Sequence, residues 1–325
     1  MTPQPSTITK PNLDIHVRPL QESELPAADH IMRLAFGTFL CLPEPTSFMG
    51  DAGYVHTRWK ANPDAAFAAE ANGKLIGSNF ASSWGNVGFF GPLTVHPEYW
   101  DQGAAKLLME PIMECFAKWG IKHAGLFTFA QSAKHVSLYQ KFGFWPRFLT
   151  PIMFKPVEQA NDQLFLSKFS DVSESEQEST LLTCRQLTDE IYEGLNVTRE
   201  IQSVAIQGLG DTVLLWENGK LVGVAVCHYG PGTEAGSDTC YIKFGAVRSG
   251  ANAGQDFNRL LKTCEKMAAE KGLQKIVAGV NTGRHEAYKH LLNSGFRTEL
   301  QGVAMERPNE PGYNRAGIYL IDDWR

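Results

Sequence analysis

The chain repeats itself once. Asn72-Gly73-Lys74-Leu75-Ile76-Gly77 returns as Asn218-Gly219-Lys220-Leu221-Val222-Gly223, and Phe90-Gly91 before Val95 returns as Phe244-Gly245 before Val247. Leu107-Leu108 returns as Leu260-Leu261, and Gly143-Phe144 as Gly295-Phe296. The landmarks keep their order at an offset of about 150 residues, far beyond any solenoid period, so the repeat marks two copies of one domain. A length of 325 residues suits two domains of ordinary size. The polar, Pro-containing segment Pro156–Asp162 is the expected boundary, giving domains 1–156 and 157–325.

Within the first copy, Ile15–Arg18 alternates like a strand. Residues 21–37 carry Ile31, Met32, Leu34, Ala35 and Phe36 on one helical face up to Gly37. Thr38 to Pro63 is rich in turn formers and aromatics and reads as a lid over a substrate site. Asn72-Gly73 is a type I′ hairpin signal between Ala65–Glu70 and Lys74–Ser83. A strand over Val87–Val95 follows the turn at Gly85-Asn86. The second copy predicts a strand near 163–169, helices over 173–206, a strand at 239–247 and a helix at 253–271. A strand at 275–280, a helix at 284–293 and a last strand at 316–321 complete it. Strands interspersed with helices give an α/β (α+β) class with a mixed sheet.

The stretch 91–144 concentrates the chemistry. An apolar strand enters Asp101-Gln102-Gly103-Ala104-Ala105, and an amphipathic helix leaves it. A helix start without bulky Cβ atoms directs unpaired N–H groups and the positive helix end at one spot, which suits a phosphate. The Gln102 side chain adds an amide there. Pro111 is expected to kink the helix.

Val95-x-Pro97-Glu98-Tyr99, then Gly103-x-Ala105, then Leu138-Tyr139-x-x-x-Gly143-Phe144, resembles the GNAT (Gcn5-related N-acetyltransferase) superfamily. The second half resembles the same fold more weakly. The resemblance implies two tandem GNAT-like domains, each a mixed, mostly antiparallel central sheet flanked by helices. The first would be an acetyl-CoA-binding catalytic domain and the second a degenerate copy. It implies an acyl-CoA-dependent N-acyltransferase, with acetyl-CoA as cosubstrate and a small-molecule or peptide amine as acceptor. Main-chain groups of Leu93, Thr94 and Val95 would meet the pantetheine arm, Ser132 would take the place of a cofactor-contacting Asn, and Tyr139 would be the general acid. With Gln102, Gly103, Ala104, Ala105 and Lys106 these make up the expected cofactor set. Trp100 departs from the Arg or Gln that opens the family's signature.

A thioester releases a thiolate whose thiol has pKa ~8.5, whereas tyrosine has ~10, so full proton transfer from Tyr139 is uphill by about 2 kcal/mol. Hydrogen-bond donation to the developing charge remains favourable. An alkyl amine of pKa ~10.4 is almost wholly protonated at pH 7, so a base is needed. The feeding strand carries no carboxylate; His96 and Glu98 follow it as candidates, with a water chain as the alternative. In the second copy, Asp256 aligns with Gly103 and Leu291 with Tyr139, which removes the anion site and the acid. That copy is left to close the substrate cleft or to mediate a homodimer.

Neither G-x-G-x-x-G after a strand nor GxxxxGK[ST] occurs, and no Cys or Ser sits in a nucleophile elbow. A formal net charge of −5 gives no reason to expect nucleic acid or an anionic membrane as partner. Six scattered cysteines without metal-ligand spacing fit a reduced, cytoplasmic setting. Met1–Asn12 lacks the pattern of a signal or transit peptide, and no apolar run approaches the ~18 residues of a membrane span. The remaining alternative is a non-catalytic CoA-binding or interaction protein that keeps the fold.

Overall fold

In the computed structural model, which describes residues 13–158 and 165–325, the chain enters on β1 (Ile15–Pro19) and α1 (Leu25–Phe39). The lid region holds a short 3-10 turn at Pro45–Ser47 and the helix α2 (Val55–Ala61). Asn72 and Gly73 take φ of 52° and 73°, the left-handed pair that a type I′ turn needs, and join β2 (Ala66–Ala71) to β3 (Lys74–Trp84). The predicted strand 87–95 is broken into β4 (Val87–Phe90) and β5 (Thr94–Val95). α3 (Ala104–Trp119), β6 (His123–Thr128), α4 (Ala133–Gln140) and β7 (Trp145–Pro156) complete the first half. Pro111 removes one intrahelical bond without ending α3, because Leu108, Met109, Ile112 and Phe116 stay buried along its inner face.

The second half runs α5 (Glu174–Ile191), α6 (Thr198–Gln207), β8 (Gly210–Glu217), β9 (Lys220–Gly230) and β10 (Gly236–Val247). It continues through α7 (Ala253–Glu270), β11 (Lys275–Gly279), α8 (His285–Asn293), β12 (Arg297–Arg307) and β13 (Leu320–Ile321). The strand expected near 163–169 falls partly outside the described residues. Lys168 makes a single bridge to Val213, and Ser170 then turns the chain by hydrogen-bonding Asp211. The last strand is shorter than the predicted 316–321, since Gly317 at φ 79° breaks the run before it.

The described strands form one mixed, mostly antiparallel sheet in the order β1-β2-β3-β4-β6-β12-β7-β11-β10-β9-β8, with β5 on β3 and β13 on β10. Among the described strands only β4/β6 and β10/β11 pair in parallel. The sequence pattern did not foretell how the halves join. β12 of the second half lies against β6 of the first, from Val303↔Thr128 to Arg307↔Ala124, while β7 of the first half lies against β11 of the second. The closing strands are thus exchanged, and β7 pairs with β12 from Trp145↔Glu306 to Phe154↔Arg297. The boundary segment Pro156–Asp162 itself lies partly outside the described residues.

Helices cover both faces. α3 and α4 close over Ala81, Phe90, Leu126 and Phe144, and α7 and α8 close over Ile242, Ile276 and Ala278. On the opposite face α5 and α6 pack Leu187, Ile191 and Ile201 against Trp84, Phe89, Phe244 and Trp324. This last cluster draws on both halves, and each such buried Leu, Ile or Phe contributes about 1.5–3 kcal/mol.

Candidate cofactor cleft

The break between β4 and β5 makes the cleft. β4 pairs with β6 only from Val87↔His123 to Phe89↔Gly125, and the two strands then part. On the β3 side, Ala81 faces Phe90 and Ser78 faces Thr94, so Gly91, Pro92 and Leu93 stand opposite only Asn79 and Phe80. That is a bulge of one extra residue, a device that re-aims a strand beside functional sites. Gly91 has φ 134°, which side-chain-bearing residues rarely adopt. From Gly91 onward the strand edge facing β6 has no strand partner.

At the end of this edge lies the predicted turn. Asp101 and Gly103 both adopt left-handed φ, 66° and 87°, and Gly103 is the N-cap of α3. A Cβ built on Gly103 would meet nothing within 4 Å, so the space in front of the helix start is open. Ala104 is buried behind it, Ala105 is partly buried, and Lys106 is exposed one residue on. Lys134 at the start of α4 reaches across to Asp101 at 2.6 Å and lies 5.8 Å from the centre of the Trp100 ring. This cation beside the turn was missed in the sequence.

Two residues act differently from the simplest expectation. The Trp100 indole N–H donates to the Val95 carbonyl at 2.7 Å, which explains its place in the signature and leaves that carbonyl occupied. The Gln102 amide donates to the Glu98 carbonyl at 3.2 Å and is held away from the turn. Thr94 is buried with its hydroxyl oxygen unpartnered. The partly buried Leu93 packs against the apolar cluster that includes Phe90 and Met109.

The other wall is α4. Ser132 is its N-cap and accepts from the His135 N–H at 3.4 Å. Tyr139, two turns on, is buried with its ring 5.7 Å from that of Phe90, at the end of β4. Burial pushes its pKa above the ordinary tyrosine value. His135, one turn before Tyr139, packs with its ring tilted against that of Phe39 at the end of α1, 4.9 Å between centroids, and burial and Lys134 lower its pKa. His96 and Glu98 lie beyond β5, next to the turn; His96 Nδ1 accepts from the Glu98 N–H at 3.3 Å, and its ring packs on Tyr99. The fold thus brings Tyr139 against Phe90 at the head of the Gly91–Val95 edge, keeps Ser132 at the start of the same helix, and sets His96 and Glu98 with the Gly103 turn instead.

The second copy shows the same groove filled. By helix position Leu291 of α8 matches Tyr139 of α4, as the sequence alignment had it. The N-cap of α7, however, is Asn252 in the right-handed region; it is the counterpart of Gly103, and Asp256 lies one turn inside the helix, bonded to Arg259 at 3.0 Å. The strand edge after Phe244 is covered by β13, with Gly245 paired to Ile321 and Ala246 to Leu320. Arg284, the N-cap of α8 and so the counterpart of Ser132, is wholly buried and pairs with Asp322 at 2.7 Å. The chain's own tail therefore lies where the first copy leaves an open edge.

Among the described residues no cluster of His, Cys, Asp or Glu could hold a metal ion, and no helix is long and apolar enough to cross a membrane. No curated protein matches the sequence. The fold, in contrast, is shared with solved structures. A candidate acetyltransferase from Pyrococcus horikoshii aligns over 100% of this chain and 99% of its own, with TM-score 0.67 and 12% identity. A GCN5-related N-acetyltransferase from Sphaerobacter thermophilus aligns over 90% of this chain and 95% of its own, with TM-score 0.61 and 14% identity. A glucosamine N-acetyltransferase region of a fungal multi-domain GH3 beta-N-acetylglucosaminidase gives TM-score 0.62 at 14% identity, over 90% of this chain and 38% of that one. The model of the acetyltransferase (GNAT) family matches residues 31–144, the span that runs from within α1 through the cleft and α4 to the start of β7. The chain therefore shares the fold of a GCN5-related N-acetyltransferase over 90% of its length, and its residues 31–144 match the model of the acetyltransferase (GNAT) family.

Proposed function

We propose that the chain is an acyl-CoA-dependent N-acyltransferase, with acetyl-CoA as donor and an amine as acceptor, working in the cleft of the first half. The observation that supports this most is the contrast between the two copies: one groove is open and ends in a left-handed glycine turn, and its twin is filled by β13 and Arg284. The residues present fit an acyl-CoA. The helix start at Gly103, open in front and flanked by Lys134, would take the pyrophosphate. The edge at Leu93 and Thr94 would take the pantetheine arm, with the unpartnered Thr94 hydroxyl beneath it.

Acyl-CoA supplies the activated acyl group as a thioester. The acceptor amine, once it has lost a proton to solvent, attacks directly. Tyr139 stays protonated at any physiological pH, because burial holds its pKa up, and it donates its hydroxyl hydrogen to the departing sulfur. It regains a proton from the nitrogen that becomes the amide, so the exchange balances without a covalent intermediate on the protein. His135 and Phe39 close the α1 side of the cleft.

A non-catalytic CoA-binding role is the second reading. Trp100 favours it, since it replaces a phosphate-binding side chain and spends its N–H on Val95. One assay separates the two: incubation with acetyl-CoA and a panel of primary amines while free thiol is followed. Amine-dependent thiol release is the expected result. Binding of acetyl-CoA without release, under every acceptor tried, would establish the second reading instead.

A further inference from the structure

Arg58 stands where three distant parts of the chain meet. Its side chain is 3% exposed. Nη1 donates to the Gly91 carbonyl at 2.5 Å, and Nε donates to Glu234 Oε1 at 3.0 Å. Nη2 donates to Glu234 Oε2 at 3.4 Å and to the main-chain oxygen of Arg325. Gly91 is the bulge residue at which the strand leaves β6, and its N–H is fixed on the Phe80 carbonyl at 2.9 Å. The peptide at the head of the cleft is therefore held from both sides, by β3 on one and by Arg58 on the other.

The far end of this hold belongs to the second half. Glu234 lies in the turn between β9 and β10, is buried, and also accepts from Lys243 at 3.0 Å. Lys243 in turn lies 2.9 Å from Glu200 on α6. The same turn grips the segment before α2 through main-chain bonds, Gly53 N–H to the Thr233 carbonyl and Gly232 N–H to the Asp51 carbonyl. A planar guanidinium with donors in a fixed fork can serve Gly91, Glu234 and Arg325 at once; an ammonium cannot. A buried pair serving only as glue between the halves would not require a bond to the one carbonyl that heads the cleft.

We propose that Arg58 is a positioning residue for acyl transfer. Through the Gly91 carbonyl it sets the line of the strand edge that the thioester lies against, and through Glu234 it makes that line depend on the second half. This rests on the acyltransferase reading above. Small displacements at a reacting centre can cost ~100-fold in rate while binding elsewhere is kept.

The test uses the full chain with Glu234→Gln, which keeps shape and loses charge, and Arg58→Lys, which keeps charge and loses the fork. Both are assayed for thiol release, for acetyl-CoA affinity by calorimetry, and for folding by circular dichroism at the assay temperature. The expected result is a fall in kcat of about 10-fold or more in each, with acetyl-CoA affinity within about 3-fold of wild type. Should Arg58→Lys not fold, Glu234→Gln decides alone. Folded variants with kcat within about twofold of wild type would overturn the proposal and leave the acyltransferase reading standing. A wild-type protein that binds acetyl-CoA but releases no thiol would overturn that reading, and this proposal with it.

Discussion

Replacing Tyr139 by Phe removes one oxygen from a buried ring and nothing else. The ring packs on Phe90 at 5.7 Å, so the substitution keeps the packing, and no protein group within the described residues hydrogen-bonds the hydroxyl. Folding stability should therefore change by less than about 0.5 kcal/mol. The effect belongs to turnover. A hydrogen bond to a charge that develops on sulfur is worth about 1.5–3 kcal/mol, which predicts a fall in kcat of about 10- to 100-fold. Acetyl-CoA affinity should stay within about 3-fold, because the bond forms only as the thiolate leaves. The pH profile adds a second readout. Burial raises the Tyr139 pKa, so this group should cause no loss of kcat up to at least about pH 10, the ordinary tyrosine value. The assay is thiol release under saturating acetyl-CoA, with calorimetry for affinity and thermal unfolding for stability. An unchanged kcat would remove Tyr139 from the mechanism, and an equal loss of affinity and turnover would make it a binding residue instead.

Two further outcomes follow from the geometry. Gly103→Asp places a side chain at φ 87° and a carboxylate in the open space before α3, so acetyl-CoA affinity should fall by at least about 10-fold, while the left-handed backbone costs only about 1–2 kcal/mol of stability; full affinity would place the pyrophosphate elsewhere. A Cβ at Gly125 would lie 2.0 Å from the buried Trp324 ring, so Gly125→Ala should destabilise by about 1–3 kcal/mol in thermal unfolding, and an unchanged midpoint would mean that the tail does not pack on β6.

Much of each half could be read from the sequence because its signals are local. Asn72-Gly73 and Asn218-Gly219 specify their own turns, and Gly103 specifies a left-handed helix start through the two or three residues around it. The exchange of β7 and β12 could not be read this way. Two copies of one fold have closing strands of similar pattern, and each pattern states which face is buried but not which copy's edge it meets. The Gly103–Asp256 alignment failed for a related reason: matching leucines fixed the helix face but not where α7 begins, and the N-cap is Asn252. Arg58 was hidden among the aromatics of the lid, because its partners Gly91 and Glu234 lie 33 and 176 residues away. The open groove of the first copy and the filled groove of the second became distinguishable only once β13 was placed on β10.

Titration of the full chain with acetyl-CoA in a calorimeter addresses that contrast most directly. One groove is open and the other is held shut by the chain's own tail, so the account predicts one acetyl-CoA per chain, with the binding weakened by Gly103→Asp. Two molecules per chain would mean that β13 and Arg284 do not close the second groove, and no binding at all would remove the first groove as a cofactor site.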